Sequence, residues 1–302
     1  MGPGSRGVAI VRCSSRPKLN RGMRPDAPFA PRHPTSTGPE TPPLSKDIDP
    51  ILSGWDHDPD EFQVRIVAGL DGRDKLQRRL DLGLIQMELS GRPDGARPFG
   101  HESLLDYHEG KVREAVTPDD YELDSDTCAD LMREGVQYYY RYLAAYHLQR
   151  FDLVVRDTSR NLRLFAFAVK HAADRRDKVQ FDQYRPYVTM MRARALSSEA
   201  MERDDHVVAI RHLDEGIAGI RAFLRDYEQE EDQIQCRELA KLLRIRREVE
   251  QARPVGPAER LEQQLDLAVN LENYEEAARI RDQIARLRGI PALNDPKPAR
   301  PS

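Results

Sequence analysis

The sequence predicts a mainly α-helical fold, with a small β-hairpin on its N-terminal side, a body of helical hairpins and one further helical hairpin near the C-terminus. Three observations predict it. After residue 126, apolar residues recur at alternating steps of three and four, the period of one helix face. Alternation of apolar and polar residues at period two is confined to the stretch from Phe62 to Leu84. The composition, 39% hydrophobic and 32% charged, is lean in core formers and suits helices with wide solvated faces.

Residues 1–45 hold nine of the 21 prolines, with Gly, Ser and Thr between them and no apolar period. Such a chain cannot bury enough surface to offset the entropy of ordering, so a disordered, basic, Pro-rich tail is expected. Seven cations against Asp26 and Glu40 give this segment +5, and since the whole chain is −4 the remainder carries −9. An acidic folded part argues against direct nucleic-acid binding, which draws on phosphate neutralisation by Lys and Arg. A basic arm touching an acidic partner is the sharper reading of the same segment.

No run approaches the roughly 20 apolar residues of a membrane span; Leu164–Val169 is closed at once by Lys170. Val8–Val11 is too short for the apolar core of a secretory signal, so a cytoplasmic location is expected, with Met23 as an alternative start. Cys13, Cys128 and Cys236 are far apart and form no metal-ligand spacing, which reads as reduced thiols.

The segment 55–116 reads as a β-hairpin followed by turns. Phe62, Val64 and Ile66 alternate with polar neighbours, Asp71-Gly72 supplies a turn that needs φ > 0, and Leu80, Leu82 and Leu84 alternate again. A lone hairpin is marginal in water, so its apolar face is expected on the helices that follow. Ser90–Gly100 is a run of turn-formers around Pro93-Asp94-Gly95. It lacks the Gly-Lys-Ser/Thr of a phosphate loop and reads as a connector.

The helical domain is expected over 126–252, after an acidic linker from Thr117 to Asp126. One helix carries Cys128, Leu131, Val136, Tyr139, Leu143 and Tyr146; the next carries Phe151, Val155, Thr158, Leu162, Phe165, Val169 and Ala172 at coiled-coil-type spacing. The short join at Gln149-Arg150 makes them antiparallel. A second pair follows, with Val188, Met191, Ala195 and Ser198 on one helix, a join at Arg203-Asp204-Asp205, and Val207, Ile210, Ile217, Ile220 and Leu224 on the return. A charged helix over 233–251 ends at Pro254-Val255-Gly256-Pro257. The two pairs resemble tetratricopeptide-type repeats, which implies a scaffold for holding peptides or proteins, although the joins are about 53 residues apart where that repeat has a period of roughly 34. A plain helical bundle is the competing reading.

Residues 258–289 form the second helical hairpin, and 290–302 are expected as a disordered tail. Leu261, Leu265 and Ala268 line one face; Asn270–Asn273 turns; Ala277, Ile280, Ile284 and Leu287 line the return. Asn273 stands at an N-cap with Glu276 in the capping-box position, and Gly289 suits the exit. The string LENYEEAARIRDQI, from Leu271 to Ile284, resembles the UVR motif of the excinuclease proteins UvrB and UvrC, an aromatic followed by Glu-x-Ala-Ala-x-x-Arg-Asp and an apolar residue.

That resemblance implies a hairpin mediating protein–protein contact, also seen in regulators of Clp proteases and protein arginine kinases. It implies Tyr274, Ala277, Ala278, Ile284 and Leu287 as the contact seam, with Arg281 and Asp282 as its polar signature. With Leu261 and Leu265 these are the candidate partner-binding residues. The expected partner is another protein or a second copy, with no membrane. The resemblance spans about a tenth of the chain, and neither the helicase motifs of UvrB nor the nuclease domain of UvrC accompanies it.

No catalytic arrangement, metal site or cofactor is expected. His101-Glu102 and His108-Glu109 are seven residues apart instead of four and read as solvated loop residues. Asp56, His57, Asp58 and Asp60 do not follow a calcium loop, and Pro59 makes a turn. No nucleophile elbow or Cys–His arrangement is present. The tyrosines Tyr138, Tyr139, Tyr140 and Tyr142 suit a core better than base stacking. The expected role is therefore a non-enzymatic adaptor. An accessory protein of nucleotide excision repair, acting through the excinuclease proteins, and a regulator of a Clp protease or a kinase are the alternatives.

Overall fold

A computed structural model describes residues 47–288 apart from 116, 118, 119, 230, 232, 234 and 255. The tails expected at 1–45 and 290–302, Cys13 and Gly289 lie outside the described residues. The chain divides into two compact units, one up to Glu248 and one from Val249.

In the first unit a short helix α1 (Asp49–Leu52) precedes three antiparallel strands, β1 (Val64–Ala68), β2 (Asp74–Leu80) and β3 (Gly83–Glu88), in sheet order β1-β2-β3. The Asp71-Gly72 turn forms as expected, with Gly72 at φ 75°. The sheet has one strand more than a hairpin: Leu80 pairs with Gly83, so Asp81-Leu82 is a second turn and Leu82 is exposed. Alternation at period two runs unbroken through a two-residue turn, so Leu80, Leu82 and Leu84 look like one strand. The inner face, Leu76 and Met87 with Phe62 and Ile85, packs on Ala144 and Tyr140. The 90–100 segment is a connector, with Gly95 N–H donating to Arg92 O at 2.9 Å.

Among the described residues the unit goes on with α2 (Leu104–Glu114), α3 (Ser125–His147), α4 (Phe151–His171), α5 (Arg175–Asp182), α6 (Arg185–Met201) and α7 (His206–Asp226), and α8 (Arg237–Ala252) begins in it and crosses its boundary. Helices α3 and α4 pair, α6 and α7 pair, and α4 packs on α6. The extra helix α5 between the pairs accounts for the long join-to-join spacing, and the tetratricopeptide likeness goes no further than paired helices. Helices α2 and α5 are additions to the expected set. Both carry local caps, Ser103 accepting from Asp106 N–H and Asp174 accepting from Arg176 N–H. Because α4 is covered by α3 on one side and α6 on the other, its buried positions include Val154, Asn161, Leu164 and Ala168, outside the single stripe the period picks out. Likewise α7 buries Ala209, Leu213 and Phe223, while Val207 is exposed.

The joins of the helix pairs share one closure. Gln149 and Asp204 take left-handed φ values of 57° and 56°. Arg150 N–H then reaches Ala145 O at 2.9 Å, and Asp205 N–H reaches Ala200 O at 3.0 Å. This six-residue ring satisfies helix-end carbonyls that would otherwise be orphaned.

Between α3 and α4 lies a polar core. Arg141 and Asp157, both fully buried, form a bidentate pair at 2.7 and 2.9 Å, and Arg141 also donates to Glu88 O and Gly91 O at 2.8 Å each. Glu134, fully buried, pairs with Arg160 and accepts the Leu104 N–H at 2.7 Å, capping α2. Tyr138 lies under both guanidinium groups, 4.9 Å from Arg141 and 4.1 Å from Arg160. Each buried charge therefore has an opposite charge and hydrogen bonds, as burial demands.

Candidate functional site

The second unit contains the hairpin α9 (Pro257–Asn270) and α10 (Tyr274–Leu287). Proline suits the first turn of α9, where its missing N–H has no intrahelical acceptor. Asn273 caps α10 by accepting the Glu276 N–H at 3.3 Å, and Glu275 and Glu276 place negative charge on the positive end of the helix dipole. Glu276 pairs with Arg279 instead of reaching back to the cap. The turn repeats the closure seen at both joins of the first unit, with Glu272 at φ 58° and Asn273 N–H on Ala268 O at 2.8 Å. Arg288 of α10's exit pairs with Glu262 of α9 and fastens the open end.

The hairpin has its own core. Ala268, Ala277, Ile280 and Ile284 are buried, with Leu261 and Leu265 packed against them. The small Ala268 and Ala277 sit toward the turn end of the hairpin. The nine candidate residues therefore separate into two sets. Leu261, Leu265, Ala277 and Ile284 face inward and hold the hairpin together. Tyr274 (68% exposed), Leu287, Ala278 and Arg281 face outward, and Asp282 is half-buried.

Neighbouring alanines in the motif thus do different work, because consecutive residues on a helix point about 100° apart. Leu267 and Leu271, four residues apart at the end of α9, are also exposed, the latter 70%. They add apolar area to the turn end of the hairpin. Leu267 and Leu271 were not candidates from sequence, although their four-residue spacing next to the motif was the available signal. Arg281 and Asp282 pair with each other at 2.9 Å, both partly exposed, an arrangement that adds little stability and leaves both groups able to exchange partners.

Elsewhere the titratable candidates are explained by local structure. His108 and Glu109 lie on α2 and not in a loop: His108 Nδ1 is 2.6 Å from the Tyr121 hydroxyl, and Glu109 pairs with Arg163 at 3.0 Å. Burial holds the His108 pKa below its ordinary value. Asp60 N–H donates to Asp58 Oδ1 at 2.8 Å, the turn expected at Pro59. Cys128 and Cys236 are buried thiols outside any disulfide, and burial pushes the Cys128 thiol up to about 11, far from the thiolate range. Of the tyrosines, Tyr138 and Tyr142 are buried while Tyr139 and Tyr140 are half-buried. Among the described residues no group of three or more His, Cys, Asp or Glu could hold a metal ion, and no helix is long and apolar enough to cross a membrane.

No curated protein and no solved structure matches the chain. A family model does: the UvrB/uvrC motif, UVR, matches residues 257–290.

Proposed function

We propose that this chain, which carries a UVR motif at residues 257–290, is a non-enzymatic adaptor that docks onto another protein through the outer surface of that hairpin. The observation that carries the reading is the separation of roles within the motif. Its inward residues satisfy the hairpin's own fold, so the outward set of Leu267, Leu271, Tyr274 and Ala278 is left for contact. An exposed aromatic with aliphatic neighbours and a small residue that permits close approach is the composition of an interface centre. Arg281 and Asp282 beside it orient the partner more than they add energy.

The match to a motif of the excinuclease proteins favours one of them as the partner, which would make this an accessory protein of nucleotide excision repair. A Clp protease or kinase system is the alternative pathway for the same docking mode. The test compares proteins captured by the full chain, by Tyr274→Ala and by Ala278→Glu from the native cell extract, with sedimentation of each for self-association. The outward substitutions are expected to abolish capture of one defined protein, whose identity names the pathway, or to abolish self-association. An unchanged captured set together with an unchanged mass would overturn the docking role.

A further inference from the structure

The first unit contains a groove of about 1030 Å³ that the docking hairpin does not explain. Its floor is one stripe of α3, on which Met132, Val136, Tyr139, Tyr140 and Leu143 follow the helical period and are all half-buried. One wall is Phe62, sandwiched between the His147 ring at 4.1 Å and the Arg78 guanidinium at 4.1 Å. The other wall is Tyr184 and Tyr187 of the α5–α6 region, with Tyr187 6.2 Å from Tyr139. The groove is therefore aromatic on three sides. On the sheet side it is lined by charges of both signs, Asp60, Glu61 and Asp81 with Arg78 and Arg79.

Aromatic-lined grooves take proline-rich segments, because the polyproline II helix is preformed and offers flat apolar rings on each edge. The chain itself contains a segment of that composition. Pro25, Pro28, Pro31 and Pro34 stand at a constant spacing of three, which would put all four on one edge if the segment took up polyproline II form at three residues per turn. Arg24 precedes them, and Asp26 and Arg32 lie among them. In that form, at about 3.1 Å per residue, the step from Pro25 to Pro34 would cover roughly 28 Å. The α3 stripe from Ala129 to His147, at about 1.5 Å per residue, covers roughly 27 Å.

The described chain begins beside the sheet side of the groove. Ile48 reaches the β2–β3 turn, where a Cβ on Gly83 would meet it at 3.5 Å, and Asp81 of that turn lines the groove. The residues between Pro34 and Asp47 can span up to about 43 Å when extended, ample for a return to the groove of the same molecule.

We propose that the groove is the docking site of the proline-rich segment Pro25–Pro34 of the same chain, its prolines laid along the aromatic α3 stripe. Occupancy makes the groove self-covered, so that a competing proline-rich partner has to displace the segment.

Limited trypsin digestion of the full chain tests this, because trypsin cuts after Arg32 within the segment and after Arg21 outside it. Rates are normalised to the same bonds in free synthetic peptides of residues 18–40, native and variant. Docking predicts that the Arg32–His33 bond is cut about tenfold more slowly than the Arg21–Gly22 bond. Pro28→Ala with Pro31→Ala, and separately Val136→Glu in the groove floor, should each bring the two rates within about twofold. The proline variants do not touch the folded body, so their result stands even if Val136→Glu unfolds it. Equal rates at the two bonds in the native chain overturn the proposal, and so does protection that vanishes on dilution, since that assigns the segment to a second copy. Capture through the C-terminal hairpin is unaffected by either result.

Discussion

Ala277 and Ala278 are adjacent, chemically identical and on different sides of α10, so a glutamate at each should give opposite results. Ala277 is 7% exposed and packs among Ala268, Ile280 and Ile284. An unpaired carboxylate buried there costs about 3–5 kcal/mol. Of the buried cluster, Ile280 and Ile284 are the large side chains, and at about 1.5–3 kcal/mol each they contribute roughly 3–6 kcal/mol before the ordering of two 14-residue helices is set against it. The penalty is as large as that contribution, and Ala277→Glu should melt α9 and α10.

Ala278 is exposed, and its replacement by Glu costs only a few tenths of a kcal/mol in helix propensity. Hydrogen exchange over residues 257–288 reads the difference directly: protection lost in Ala277→Glu and retained in Ala278→Glu. Far-UV circular dichroism should fall by the helicity of one hairpin in the first variant only. Retained protection in Ala277→Glu, or equal loss in both, would refute the assignment of inner and outer faces and the docking surface built on it.

Other perturbations test the rest of the molecule. Asp157→Leu should destabilise the first unit by about 3 kcal/mol in urea unfolding, the low end for a broken buried pair because Arg141 keeps two carbonyl acceptors, while Asp157→Leu with Arg141→Met should recover most of the loss. Glu272→Gly should raise hairpin stability by about 0.5–1 kcal/mol, measured as slower exchange over 257–288, since glycine carries no Cβ penalty at φ 58°. His108 is held below its ordinary value of 6.5 by burial, so the unfolded chain takes up the proton first as pH falls. Its contribution is intact above about 6.5 and declines below it, and His108→Gln should flatten the melting-temperature profile on the acid side.

The C-terminal hairpin was readable from sequence because cap, period, turn and motif agree on one structure, with Asn273, Ile280 and Ile284 each where the pattern puts them. Its division into inward and outward residues was not, since Ala277 and Ala278 differ only in azimuth and the motif names both. In the body, antiparallel pairing followed from the short joins at Gln149 and Asp204. The polar interior between α3 and α4 escaped because an apolar period passes over charged residues, and Glu134, Arg141, Asp157 and Arg160 are all buried there. Helices α2 and α5 escaped for another reason: at 11 and 8 residues they are too short to show a period, and only their caps announce them. Leu82 shows the converse error, an apolar residue in step with a strand yet at the tip of a turn.

Arg141 has a consequence for how the α3 groove meets a ligand. By gripping two carbonyls on either side of the bend after β3, it welds the meander to the helix that forms the groove floor. Moving the sheet away from α3 would break both of those bonds and leave Arg141 to Asp157 alone, so the sheet-side wall of the groove is held in place. A segment docking there would meet that wall already formed, with little of its binding energy diverted into reshaping it.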